Sequence, residues 1–156
     1  MNARYLYKGK IKGNLAGHKE LDWAIGNLIV EQSTGKHFII DLSHFDESTR
    51  LCDVVIEVEP STICQCNGLT DKNGQKIWEN DIVHNGNYFV VKWNHSCARF
   101  DIALNNSHNI PVGRWEPMII DWRTNDFKEY RNDVDFEIIG NIFNNPELLE
   151  VEHDRS

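Results

Sequence analysis

The chain predicts a mainly β protein, and three observations carry that reading. Short apolar runs are separated by turn residues throughout. Long segments with a 3.6-residue apolar period are missing. Asn-Gly pairs recur between apolar runs, where both residues tolerate positive φ and close hairpins. At 156 residues the chain has room for one domain or for two small subdomains.

Arg4 to Ile11 alternates and reads as a first strand, followed by a loop over Gly13 to Glu20. Trp23 to Glu31 and His37 to Leu42 form a hairpin across Ser33-Thr34-Gly35-Lys36. Ser43 to Arg50 is polar and fits a loop or a single helical turn. Leu51 to Val58 is β-branched and alternating, so it reads as a strand. Glu59-Pro60-Ser61 breaks the pattern and marks an expected boundary, giving subdomains over residues 1–59 and 60–156.

Thr62 to Cys66 reads as a short strand before the turn Asp71-Lys72-Asn73-Gly74. Gly74 can take the left-handed position after a type I turn, or Asn73-Gly74 can form a type I′ turn. Lys76 to Trp78 and Asp81 to His84 follow, with a second tight turn at Asn85-Gly86. Asn87 to Trp93 is apolar on both faces and should be central. Arg99 to Leu104, Trp115 to Trp122 and Val134 to Ile142 complete the strands. In the first of these, Phe100, Ile102 and Leu104 point one way and Arg99 and Asp101 the other. Asn145 before Pro146 signals a short C-terminal helix or turn, with Leu148 or Leu149 packing inward, and His153 to Ser156 should fray. Ile25-Gly26-Asn27-Leu28 echoes Ile139-Gly140-Asn141-Ile142, and a strand glycine marks a bulge or a close backbone approach.

The formal net charge of −8 disfavours phosphate backbones and membrane surfaces. Lys8, Lys10 and Lys12 form the densest basic spacing and alternate as the wet face of a strand does. No apolar run has the length of a membrane span, and the N-terminus lacks the apolar block of a secretory signal. Cytoplasmic localisation is therefore the expectation, with the four cysteines as free thiols. The acceptor patterns Asn94-His95-Ser96 and Asn105-Asn106-Ser107 carry no meaning in that setting.

Four constellations invite a chemical reading. Cys64 and Cys66 share one strand face, as two zinc ligands would, with His84, His95 and Cys97 as the nearest further donors. None of these makes a second paired spacing, and burial as small apolar residues is the simpler account. His95-x-Cys97 with Asp101 resembles a nucleophile pair, yet such triads draw on separated segments. Asp133, Asp135 and Glu137 would line one face, as a divalent-ion site or as the wet side of a strand, with mutual repulsion raising their pKa values. Tryptophans 23, 78, 93, 115 and 122 could stack bases, but core filling or an interface suits them better without interleaved cations. Phosphate-loop, dinucleotide and Gly-x-Ser-x-Gly patterns are absent. No residue is assigned a catalytic, cofactor-binding or metal-binding role, and no cofactor is expected.

Residues Cys64 to Val83 run Cys-Gln-Cys-Asn-Gly-Leu-Thr-Asp-Lys-Asn-Gly-Gln-Lys-Ile-Trp-Glu-Asn-Asp-Ile-Val. Residues Ile138 to Leu149 run Ile-Ile-Gly-Asn-Ile-Phe-Asn-Asn-Pro-Glu-Leu-Leu. In order and at this separation, the two runs resemble the YopX family, found largely in phages and prophages. The N-terminal third matches more loosely, through Tyr7 to Lys10 and Trp23 to Leu28. Asn80 stands where the family usually has glycine, and asparagine is well suited to the positive φ this implies. Cys64 and Cys66 replace a glycine and an aromatic residue.

The resemblance implies an N-terminal β subdomain packed on a C-terminal SH3-like barrel with a short C-terminal helix. It offers no catalytic residues to carry over. It implies a non-enzymatic phage or prophage accessory protein acting through protein contacts, as a homo-oligomer or on a host protein. The alternatives are a nucleic-acid-binding module, an acidic DNA mimic and, last, a metal hydrolase using Cys64, Cys66, histidines or the Asp133 to Glu137 face.

Overall fold

The computed structural model describes residues 5–13, 22–43, 45–96, 98–104, 115–117 and 136–150. The elements are strands β1 (Tyr7–Lys10), β2 (Trp23–Val30) and β3 (His37–Ile40), the helical turn α1 (Leu51–Val54) and β4 (Val55–Val58). A 3-10 turn (Pro60–Thr62) precedes β5 (Cys64–Thr70), β6 (Lys76–Trp78), β7 (Asp81–Asn85), β8 (Asn87–Asn94) and β9 (Arg99–Leu104). Strands β10 (Trp115–Pro117) and β11 (Glu137–Asn141) and a 3-10 turn (Pro146–Leu149) complete them. The chain is mainly β, in two sheets ordered β4-β3-β2-β1-β5-β6 and β10-β9-β8-β7-β11.

By compactness the chain divides inside β5, into residues 1–68 and 69–156. The expected boundary at Glu59-Pro60-Ser61 falls earlier, where the chain makes a 3-10 turn. Beyond that turn β5 still belongs to the first sheet: Lys8 pairs with Cys64, Tyr7 with Gln65, and the Cys66 N–H reaches the Leu6 carbonyl.

The first unit is a strongly rolled antiparallel sheet. Strand β1 pairs with β2, β2 with β3 and β3 with β4. The free side of β4 then meets the end of β1. Ile11 bridges Val58, Lys12 N–H donates to the Glu57 carbonyl at 2.9 Å, and Glu59 N–H donates to Lys10 at 2.8 Å. Rolling gives four strands one interior, filled by Ala24, Ile39, Ile56 and Val58. It requires close backbone approach at β2: a Cβ on Gly26 would lie 1.8 Å from the Ile40 carbonyl oxygen. The strand expected over Leu51 to Val58 holds only from Val55. Arg50 N–H donates to the Asp53 carboxylate and Asp53 N–H returns to the Arg50 carbonyl, so local bonds override the β propensity of the first half.

The second unit is built on the hairpins β7-β8 and β8-β9. As expected, β8 is central; Val90 and Val91 are both buried, on opposite faces. One face packs Val83, Val91 and Ile102 with Ile77 and Phe136. Trp93 meets its cross-strand partner Phe100 edge-on at 4.9 Å. Strand β11 pairs with β7 through an irregularity between Ile138 and Gly140, the bulge that the strand glycine predicts. Among the described residues β10 and β11 are separate edges, so this sheet does not show the closure of an SH3-like barrel. The expected C-terminal helix is a 3-10 turn, with Pro146 at its start. Asn145 does not cap it through its side chain; its Oδ1 accepts the Asn141 N–H at 3.3 Å instead. Leu148 and Leu149 are half-buried there.

Candidate interaction surfaces

The turn after β5 is the three-residue hairpin with Gly74 left-handed (φ 80°), the first of the two forms the sequence allows. Gly74 N–H donates to the Asp71 carbonyl at 3.0 Å, and Asp71 N–H to the Gln75 carbonyl at 2.8 Å. Asp71 itself is buried. Its Oδ1 accepts from the N–H groups of Asn73 and Gln75, and its Oδ2 from Ile138 at 3.1 Å. Burial pushes this carboxyl up, but the N–H groups of Gln75, Ile138 and Asn73, with Lys72 nearby, prevail and hold its pKa below the ordinary value.

Glu137 sits on the same clasp. Its carboxylate meets Lys72 Nζ at 2.8 Å, and the Lys72 N–H donates to the Phe136 carbonyl. Its pKa is lowered, chiefly by that hydrogen bond, contrary to the rise expected from mutual carboxylate repulsion. A cation sits closer to it than the expectation allowed. Asp133 and Asp135 lie outside the described residues, so the proposed acidic face is represented by Glu137 alone.

Cys64 and Cys66 are fully buried and unoxidised, and Cys64 Sγ contacts the Thr62 carbonyl at 3.2 Å. Among the described residues no group of three or more His, Cys, Asp or Glu is placed to hold a metal ion. His95 is exposed at the turn after β8 and touches the Trp93 ring edge-on. Cys97 lies outside the described residues. Asp101 points away from the core face, as expected, yet is fully buried. Its carboxylate accepts from Asn94 Nδ2 at 2.7 Å and Arg99 Nε at 2.8 Å, a structural ion pair. Asn80 has φ 68°, the positive value predicted for it, and its Oδ1 accepts from Lys92 Nζ.

The lysines of β1 are not simply a wet face. Lys8 is buried, with its ammonium 5.2 Å from the Trp23 ring centroid, and Lys10 lies 5.7 Å from the same ring. Thus two cations do interleave with one tryptophan, a pairing that the linear spacing does not reveal because Lys10 meets Trp23 across the β1-β2 register. Trp78 is buried and Trp93 half-buried, in keeping with core filling. Trp122 lies outside the described residues, as do the side chain of Trp115 and the segment from His153 onward.

Sequence reasoning missed where exposed apolar surface would gather. Tyr5, Ile25, Ile29, Val30, Leu42, Phe45 and Leu51 are all exposed, and all belong to residues 1–68. Ile25 and Ile29 share the outer face of β2 with half-buried Phe38, which pairs with Ile29 on β3. Alternation in a strand would flag them, but only the roll of the sheet tells the inner face from the outer.

No helix among the described residues is long and apolar enough to cross a membrane. A mainly β chain with apolar outer surface and a turn clasp at Asp71 defines a class of small β protein without defining a reaction. The family model described as YopX protein matches residues 23–150. The chain belongs to the YopX family. No curated protein matches it.

Proposed function

We propose that the protein is a non-enzymatic accessory protein of a phage or prophage that acts through protein contacts and self-associates in the bacterial cytoplasm. The observation that supports this reading is the outer face of β2, where Ile25 (42% exposed) and Ile29 (44%) share one side of the strand and Ile29 sits opposite Phe38. Two β-branched side chains on one exposed strand face form a patch that a second copy covers isologously. The reading of residues 60–156 as an SH3-like barrel belongs to the same proposal and rests on the family resemblance.

Light scattering after size-exclusion chromatography tests it. The wild type should elute as an oligomer, and Ile25→Ser with Ile29→Ser should give a folded monomer. A wild type that is monomeric at micromolar concentration sinks the self-association.

A second reading, a nucleic-acid-binding module, is favoured by Lys8 and Lys10 over Trp23. The net charge of −8 opposes it. A salt-dependent mobility shift with single-stranded DNA or RNA, abolished by Trp23→Ala, would support it; no shift at low salt would remove it.

A further inference from the structure

We propose that the connection between β3 and β4, as described over residues 41–43 and 45–53, is a preformed docking surface for a basic amphipathic protein segment. The inference rests on the reading of this chain as a contact protein and names the chemistry of a second partner. Leu42, Phe45 and Leu51 are 56%, 58% and 72% exposed, each further into solvent than Ile25, Ile29 or Val30 on β2.

The loop that carries them is fastened at several points. Asp41 Oδ1 accepts from Ser43 N–H at 2.9 Å, and its Oδ2 accepts from the Ile25 N–H at 3.0 Å, which extends the β2-β3 ladder past its last pair. Asp41 N–H donates to the Val54 carbonyl, so both ends of the loop are joined. Asp46 Oδ1 accepts from the Ser48 N–H and from the hydroxyls of Ser48 and Thr49, and the Thr49 hydroxyl in turn accepts the Asp46 N–H. Arg50 and Asp53 close α1, whose Val54 is buried. A backbone held this way loses little conformational freedom on binding, so the ordering cost falls mainly on the apolar side chains themselves.

Charge selects the partner. Within residues 41–53, Asp41, Asp46, Glu47 and Asp53 outnumber the single cation Arg50 by three. A second copy of this loop would bring like charges together, and anionic membranes or nucleic acids would be repelled. A protein segment with an apolar face flanked by lysines and arginines matches both the leucines and phenylalanine and the carboxylates around them.

The probe is a synthetic amphipathic helical peptide of leucine and lysine, titrated into the isotope-labelled full chain and followed by NMR. Amide shifts should centre on residues 41–53 and Ile25. Phe45→Ser, an exposed position, should raise Kd at least tenfold, and Glu47→Lys about threefold. A leucine–serine peptide of equal length should bind at least tenfold more weakly. Shifts centred elsewhere, equal binding of the neutral peptide, or unchanged affinity in Phe45→Ser overturns the proposal. Light scattering on the same samples separates the two readings. An oligomer that does not bind the peptide at the loop sinks the docking loop alone. A monomer that binds it there sinks self-association alone.

Discussion

The Asp71 carboxylate accepts the backbone N–H of Ile138 at 3.1 Å, joining a turn to a strand 67 residues further along the chain. The same carboxylate holds the N–H groups of Asn73 and Gln75 within its own turn. One side chain therefore closes the β5-β6 hairpin and receives the edge of β11. Removing it takes the acceptor from three backbone donors in part-buried hydrogen bonds, each worth about 0.5–1.5 kcal/mol net. Asp71→Ala should lower unfolding free energy by about 3 kcal/mol, read by urea titration. A loss under about 1 kcal/mol would show that water replaces the carboxylate at little cost.

The pH dependence follows from the same group. Asp71 has a folded pKa below its ordinary 3.8, so the folded state favours the carboxylate. Its contribution is fully present above pH 3.8 and is lost as pH falls through the lower folded value. Glu137, also lowered, acts in the same direction but is solvent-exposed and screened. Urea midpoints should be flat from pH 7 to about 5 and fall below about 4. In Asp71→Asn the part of the acid fall due to this group should vanish; an unchanged profile would assign it to other carboxylates.

Gly26 and Asn80 are backbone positions with different demands. A methyl group on Gly26 would overlap the Ile40 carbonyl oxygen, so Gly26→Ala must part β2 from β3. A destabilisation of about 3 kcal/mol or failure to fold is expected. Asn80, at φ 68°, tolerates glycine better than alanine. Both substitutions lose the bond to Lys92, but only alanine adds left-handed strain, so Asn80→Ala should be less stable than Asn80→Gly by about 1 kcal/mol. Equal stabilities in thermal melts would show that the turn relaxes.

Arg99 and Asp101 form a pair of unequal exposure, the arginine side chain 47% exposed and the carboxylate 0%. Arg99→Ala leaves a buried carboxylate with Asn94 as its remaining side-chain donor among the described residues. A loss of about 2–3 kcal/mol is expected, toward the lower end for broken buried pairs because the arginine is half in water. Asp101→Asn in that background should restore part of it. Additive losses in the double-mutant cycle would remove the coupling.

Thiol accessibility separates the cysteines. Cys52 is exposed, whereas Cys64 and Cys66 are fully buried. Iodoacetamide followed by peptide mass mapping should label Cys52 in the native protein and the other two only after denaturation. Stoichiometric zinc in protein purified without chelator, released together with labelling at Cys64 and Cys66, would overturn the packing role.

Much of the fold is legible in the chain itself. Apolar alternation marks the strand positions, Asp71 to Gly74 specifies a tight turn, and Asn80 carries the positive φ in its identity. Gly26 and Gly140 announce a close approach and a bulge. These features are local, set by sterics and hydrogen bonds within a few residues, and so they survive reading one segment at a time. The first half of Leu51 to Val58 is instructive because it is also local, yet the Arg50–Asp53 bonds outweighed β propensity there.

What the tertiary structure decided is which faces meet. The return of β4 to the end of β1 makes one side of β2 a core and leaves Ile25 and Ile29 outside. Cross-strand register places Lys8 and Lys10 against Trp23. A lysine from the 71–74 turn, distant in sequence, turns the expected rise in the Glu137 pKa into a fall. Each outcome depends on long-range pairing, and a one-residue change of register would reverse every face without altering any local propensity.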